Sequence, residues 1–476
     1  MAPPPPVRNS GGEDLISNLP FELRSAIISR LATAEAARTA VLSTRWRDTW
    51  RGTPLRLDDL ELPAAPGPSI ARVAAAAGAP WAARADAVDV ALASHPGPVE
   101  RFRLSRTTLR ARVSTAEAWF RDLAAGDHRA REVSLLCPPE WCHGALADPL
   151  LASPTLEILA LGECRISDAG AAAASASLLT ELTLSSTHIS EAALQSLLFG
   201  CPALRSLILR HIQGPSRIHI SSCRSLVLLG VWQYKLLEEL TVEDAPCLER
   251  LLGDTHLGTA VTIVGAPKLT VLGYLVAGYR DFWHGIDKPA AQKKVAKGLR
   301  APFNSVKILA ISVTFSGKKN VESVMNLLKC FPFVEALHIQ GNKRWEGGIQ
   351  TIDSDYYQKL DPVGCIVNHL KSVRLEIEVE NRRGKGKVEN QNMSEFVCFL
   401  LANAQVLQTM KIQSAMSNNP AWITEQQNLL SQCHRASAEA KVVFEGLKIV
   451  RHKGFSIEAV NALADPFDSD IDIMGY

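Results

Sequence analysis

Cysteine and histidine are the side chains here whose chemistry would tell most, and the spacing of the ten cysteines and twelve histidines argues against most of it. The nearest approach to a metal site is Cys137, Cys142 and His143, in Cys-Pro-Pro-Glu-Trp-Cys-His. A zinc site needs a second ligand cluster at matching spacing, and none follows. No C-x-x-C pair occurs, so the cysteines read as reduced, mostly buried thiols, with no metal and no other cofactor. A lone nucleophilic cysteine is the one enzymatic reading with a candidate, Cys365, and its apolar setting, Pro362-Val-Gly-Cys365-Ile-Val, suits a core position. His188, His211, His338 and His369 have no acidic or cysteine partner at a useful spacing. With no G-x-S-x-G, G-x-x-x-x-G-K-S/T, G-x-G-x-x-G or H-E-x-x-H in the chain, no catalytic residue is expected.

Binding chemistry remains, and a repeated phrase would position it. An L-x-x-L-x-L pattern starts at Val99, Ala130, Leu156, Leu179, Leu204 and Leu226, partially at Leu248, and again at Leu269, Val306, Val334, Leu370 and Leu407. From Ala130 to Leu269 the starts lie 26, 23, 25, 22, 22 and 21 residues apart, the period of leucine-rich repeats; beyond Leu269 they loosen to 37, 28, 36 and 37. Each phrase predicts a short strand whose alternate residues point into a stack, followed by a helix or turn that returns the chain. The fold class is therefore α/β, a solenoid or horseshoe. The best copy, Leu156-x-x-Leu159-x-Leu161, has Cys164 where the repeat takes Asn or Cys. Helical returns are expected over 114–125, with Ser114 and Glu117 as a capping box, and over 321–330. The seventh residue of a phrase faces the concave side, which puts Arg210 and Trp232 in neighbouring repeats on one face, with His338, Arg374 and Lys411 outward further along. Tryptophan beside arginine is what protein-binding hot spots favour, so these five are the expected target-binding residues.

The stretch from Asp14 to Trp50 follows a different rule. Leu19, Leu23, Ile27 and Leu31 recur every four residues, as do Leu42, Trp46 and Trp50, so each short helix carries an apolar stripe. Pro20 suits a helix start, and Thr33 and Ser43 are candidate caps. A piece of about 40 residues cannot bury two tryptophans and several isoleucines alone, which calls for a partner. Leu19-Pro20, Ile27-Ile28-Ser29 and Val41-Leu42-Ser43-Thr44-Arg45-Trp46-Arg47 resemble the plant form of the F-box at its own spacing. Arg24 and Ala32 depart from it, standing where an aliphatic residue and a proline are common. The resemblance implies docking onto a SKP-type adaptor, and through it a cullin scaffold and a ubiquitin-conjugating enzyme, with Leu19, Pro20, Leu23, Ile27, Ile28, Leu31, Val41, Leu42, Trp46 and Trp50 as adaptor contacts or F-box core. Near the other end, Phe399-Leu400-Leu401-x-Asn403-Ala404-x-x-Leu407-x-x-Met410-Lys411-Ile412 and Arg435-Ala436-Ser437-x-x-Ala440-x-Val442-x-Phe444 resemble the FBD region that follows the repeats in many plant F-box proteins. Together these imply the substrate-recognition subunit of a Skp-cullin-F-box ubiquitin ligase; the other reading is a repeat scaffold without ligase activity.

The expected order is a disordered start (1–12), the F-box (13–54), a linker (55–98), the repeats (99–380), the FBD-like region as a cap (390–450) and a tail (451–476). With 476 residues and 47% hydrophobic content a large core is within reach. A net charge of +2 gives no argument for a concentrated basic face, and the Lys/Arg clusters at 288–300 and 382–387 read as loop charges, so no nucleic acid is expected. The alanine-rich run at 71–93 is broken by Arg84, Asp86, Asp89 and Pro80, so no membrane is expected either. Scattered thiols and an N-terminus without a signal peptide's apolar core predict the cytoplasm or nucleus.

Overall fold

The computed structural model describes residues 15–62, 80–107, 112–125, 128–136, 144–221, 223–232, 237–254, 259–277, 302–341, 350–377, 385–414, 420–446 and 457–468. They form two compact units that divide after Leu179. The first begins with helices α1 (Phe21–Ile28), α2 (Thr33–Thr39) and α3 (Thr44–Gly52) and strand β1 (Leu55–Asp58). It continues through α4 (Pro80–Ser94), β2 (Val99–Leu104), α5 (Val113–Ala125), β3 (Glu132–Leu135), α6 (Asp148–Leu151), β4 (Ile158–Gly162) and α7 (Asp168–Ala172). Strands β1 to β4 pair in parallel in chain order, and Leu57, Phe102, Val133 and Leu159 fall in one row. The stretch expected as a linker therefore opens with the first strand of the sheet. Leu55-Arg56-Leu57-Asp58 alternates apolar and charged residues, and the two leucines are buried while Arg56 is exposed.

The second unit repeats the pattern with β5 (Glu181–Ser185), α8 (Glu191–Phe199), β6 (Ser206–Arg210), β7 (Arg217–Ser221), β8 (Leu228–Trp232), β9 (Glu239–Glu243), β10 (Arg250–Asp254), β11 (Ala260–Val264) and β12 (Val271–Ala277). It ends with β13 (Ile308–Val313), α9 (Lys318–Leu328), β14 (Ala336–Gly341), α10 (Ser354–Gln358), α11 (Gly364–Asn368), β15 (Ser372–Ile377), α12 (Lys385–Asn403), β16 (Thr409–Ser414), α13 (Pro420–Ser431), β17 (Lys441–Gly446) and α14 (Ile457–Ala462), then a single 3-10 turn at Pro466–Asp468. Ten of these strands lie side by side in the order β5-β6-β8-β10-β12-β13-β14-β15-β16-β17, and β7, β9 and β11 form a separate parallel sheet.

That second sheet differs from the expected helix or turn. Its segments are five residues long and carry branched apolar residues two apart, Ile218 with Ile220, Leu240 with Val242 and Val261 with Ile263, a spacing that buries one face of a strand and does not follow the helical period. Where the return is longer, it is helical: α9 buries Val321, Val324, Leu327 and Leu328 as its periodicity predicts. The capping box at Ser114 and Glu117 does not form, because Glu117 turns its carboxylate to the backbone N–H of Leu146 (3.1 Å). The FBD-like stretch continues the same parallel ladder through β16 and β17. Packing α12 against α13 also brings Cys398 and Cys433 to a Cα separation of 5.3 Å in a disulfide, which corrects the expectation that every cysteine is reduced. Six others are free, and Cys137 and Cys142 lie outside the described residues. The basic cluster at 288–300 also lies outside them, as do the side chains of 382–387.

A buried histidine joins the three N-terminal helices to the first repeats. His95 Nε2 faces the carbonyl oxygens of Trp50 (3.1 Å) and Thr53 (3.0 Å), so it must carry the proton, and the ring stands edge-on to Trp50 at 4.9 Å. The carbonyl of His95 in turn accepts from His128 Nε2 at 2.9 Å. Desolvation lowers the His95 pKa, opposed only in part by those carbonyls. A histidine held neutral in the fold binds fewer protons than its unfolded counterpart, so stability is complete above about pH 6.5 and falls as pH drops toward the depressed folded value. Acid titration of unfolding should show this loss as pH falls below about 6.5, and His95→Gln should flatten it.

Candidate functional site

In the F-box-like helices the structure separates core from surface, which the sequence alone leaves mixed. Ile28, Trp46 and Trp50 are buried, and Trp46 donates from Nε1 to Ser17 Oγ at 3.0 Å. Ser43 caps α3, its Oγ accepting from the N–H of Trp46 at 3.3 Å. Thr33 does not cap α2; its N–H is instead taken by the Glu61 carboxylate (2.9 Å), while its hydroxyl donates to the Arg56 carbonyl (2.8 Å) and so ties α2 to β1. Pro20, Leu23, Ile27, Val41 and Leu42 are exposed, the last two by 82% and 68%, and Leu19 and Leu31 are half-buried. Three further exposed apolar residues, Leu15, Ile16 and Phe21, escape the four-residue spacing and were not expected as contacts; their signal is an apolar cluster flanking Leu19-Pro20.

Both departures from the F-box pattern fit their places. Arg24 donates from Nε to Thr49 Oγ1 (3.0 Å) and from Nη1 to the Ser17 carbonyl (2.8 Å), joining α1 to α3 with polar bonds where an aliphatic residue would pack. Ala32 precedes α2 with φ −58° and ψ 147°, which are proline angles.

The second candidate surface lies on the outer face of the ten-stranded sheet. Ala310, His338, Arg374 and Lys411 stand in one row across β13, β14, β15 and β16, and Arg210 faces Trp232 between β6 and β8. The sequence placed them on the right side of the strand but in the wrong environment. Trp232 and His338 are buried, and Arg210, Arg374 and Lys411 are half-buried. What covers Trp232, His338, Arg374 and Lys411 is the chain's own segment 457–468, expected as a tail and found lying across the sheet. Ile457, Val460 and Phe467 pack with Ile208, Trp232, Leu252 and Ala310 in one cluster, and the Phe467 ring meets Tyr274 at 5.1 Å and His338 at 5.5 Å. Arg250 donates to the Val460 carbonyl (2.9 Å) and His338 Nε2 to Asp465 Oδ2 (2.8 Å). Arg374 donates to the Phe467 carbonyl, and Lys411 Nζ lies 2.6 and 2.8 Å from the two carboxylate oxygens of Asp468. Burial works against the charge of Asp465, but the hydrogen bond and charge of His338, with backbone N–H groups of Phe467 and Asp468, outweigh it and hold the carboxyl below its ordinary pKa.

A family model for the F-box domain matches residues 16–58, and one described as "FBD-associated F-box protein At5g56370, LRR repeats" matches residues 116–339. The chain thus carries an F-box domain followed by F-box-associated leucine-rich repeats. It is 49% identical over 55 residues to the F-box/FBD/LRR-repeat protein At5g22660 of Arabidopsis thaliana, covering 12% of that relative. To the putative F-box/LRR-repeat protein At3g58880 of the same plant it is 30% identical over 225 residues, or 47% of that chain. These two matches thus span less than half of each relative's length. A third, 22% identical to the Arabidopsis F-box/FBD/LRR-repeat protein At1g13570, covers 90% of this chain and 98% of the relative.

Cys365 is buried, its Sγ 3.8 Å from the Leu328 carbonyl, and burial pushes the thiol up to about 11, which keeps it protonated and a poor nucleophile. His369 packs its ring edge-on to Phe333 at 5.1 Å, and His188 is exposed. Among the described residues no group of three His, Cys, Asp or Glu side chains is placed to hold a metal ion, and Cys137, Cys142 and His143 lie outside them.

Two stability outcomes follow from these burials. Trp46→Ala should cost about 3–5 kcal/mol in chemical denaturation, whereas Val41→Ala and Leu42→Ala should stay within about 0.5 kcal/mol. Gly230→Ala should cost about 1–3 kcal/mol, because its methyl would come within 2.4 Å of the Trp232 ring and 2.7 Å of Ile208.

Proposed function

We propose that this chain is the substrate-recognition subunit of a Skp-cullin-F-box ubiquitin ligase. The observation that carries the reading is the density of exposed apolar side chains on the F-box helices. Of the seventeen large hydrophobic residues exposed among the described residues, seven fall between Leu15 and Leu42, while both tryptophans of the same unit are buried. The helices are therefore folded and yet unfinished, since a monomer gains nothing by holding such residues in water. Full burial of each against a partner helix contributes roughly 1.5–3 kcal/mol. A SKP-type adaptor fits that surface, and through it a cullin and a conjugating enzyme. In this role Leu19, Pro20, Leu23, Ile27, Leu31, Val41 and Leu42, with Leu15, Ile16 and Phe21, contact the adaptor, and Ile28, Trp46 and Trp50 hold the helices that present them.

The repeats hold the target protein. The chain itself catalyses nothing; it raises the local concentration of the target's lysines near the conjugating enzyme. Its place in this reading is the cytoplasm or nucleus, on the six free thiols that stand against one disulfide pair among the described residues.

Co-purification with a SKP-type adaptor tests the proposal. The full-length chain should capture the adaptor, and Val41→Asp with Leu42→Asp should weaken capture by roughly 100-fold or more while leaving the melting temperature in place. Leu19→Ala with Pro20→Ala should also abolish it. Undiminished capture by both variants would sink the ligase reading.

A further inference from the structure

The face under segment 457–468 carries features that a permanent cover does not need. Arg374 and Lys411 stand directly opposite each other on neighbouring strands, an arrangement of like charges that is unfavourable unless an anion lies over it. Asp468 lies over it, on Lys411 as described and 3.3 Å from Arg374 Nη1. Next to this cationic pair is an aromatic recess, in which the Phe467 ring sits between Tyr274 and His338 with the Asp465 carboxylate on the same histidine. Aliphatic side chains alone would serve to shield Trp232 from water. The face instead reads a pattern: carboxylate, aromatic ring and carboxylate within the four residues Asp465-Pro466-Phe467-Asp468. The covering segment is also thin, with Asn461, Ala462, Ala464 and Asp468 exposed.

We infer that this face is a receptor for an acidic, phenylalanine-bearing linear segment of another protein, and that Asp465-Pro466-Phe467-Asp468 is an internal occupant which such a segment displaces. The inference rests on the reading of the repeats as the target-holding part and deepens it by naming the class of target. Charge and hydrogen bonding set the preference: Arg374 and Lys411 hold one carboxylate, His338 Nε2 bonds another, and the recess between them takes a flat ring. A tethered occupant acts at an effective concentration on the order of millimolar, so an incoming segment binds in proportion to the fraction of chains whose strap is undocked.

The experiment uses the full chain and a fluorescein-labelled peptide of residues 457–470, read by fluorescence anisotropy. Phe467→Ala with Asp468→Asn in the chain undocks the strap and leaves the face intact. This variant should bind the peptide at least about tenfold more tightly than the unaltered chain, as the open fraction rises. Adding Arg374→Glu should abolish binding, as should the same two substitutions made in the peptide, and affinity should fall with salt. If the double variant melts without cooperativity, Asp468→Asn alone, with faster hydrogen exchange over 457–468 as the sign of undocking, serves in its place. Peptide binding no tighter in an undocked, cooperatively melting variant, or binding indifferent to Arg374→Glu, overturns the inference and leaves the segment a permanent cover. Adaptor capture by the same proteins separates the two readings: its loss with peptide binding kept strikes the ligase proposal and not this one.

Discussion

A parallel strand cannot satisfy its own backbone or bury its own leucines, and every element here follows from that dependence. Each repeat supplies half of an interface and its neighbour the other half, as in the row of Leu182, Leu207 and Leu229, all buried. Strict pairing also turns residues far apart in sequence into rows across the sheet, because equal positions in successive phrases stand opposite one another. The inward rows are greasy by necessity. The outward rows are free to vary, and at Ala310, His338, Arg374 and Lys411 they build a surface from one residue per repeat.

The repeats were legible because the rule that builds them is local. Leu156-x-x-Leu159-x-Leu161 declares its strand within six residues, and the structure places Ile158–Gly162 there. Even the outward orientation of Trp232 and Lys411 follows from counting along a phrase. The occupant of that face was not legible. Segment 457–468 carries no repeat phrase, and its hydrogen-bonding partners lie 57 to 210 residues back along the chain, from Lys411 to Arg250, so no window of sequence contains both sides of the contact. The strands β7, β9 and β11 were missed for a related reason: five apolar-alternating residues between two phrases look like loop until a neighbour pairs with them. In the F-box, spacing by four put Leu42, Trp46 and Trp50 on one stripe, but a stripe broader than its core buries only part of itself, and Leu42 remains outside while both tryptophans go in.

The two candidate surfaces use different physics. The F-box helices offer a cluster of apolar side chains to water, a surface suited to gaining affinity by desolvation. The outer face of the long sheet pairs cations with an aromatic recess, a surface that selects by charge and geometry. Arg24 shows how little the first depends on matching a pattern in every residue, since its guanidinium reaches Thr49 and Ser17 and holds α1 to α3 by hydrogen bonds.

Segment 457–468 has a mechanical consequence. A ladder of repeats ordinarily frays from its ends, each strand peeling away at the cost of one interface. Here a single short clasp grips Arg250 on β10, His338 on β14, Arg374 on β15 and Lys411 on β16, so tension that peels β17 inward meets the clasp before it reaches the strands behind it. Those distant repeats then yield together or not at all, and because the clasp is synthesised after every strand it crosses, the ladder acquires that unity only once its own assembly is done.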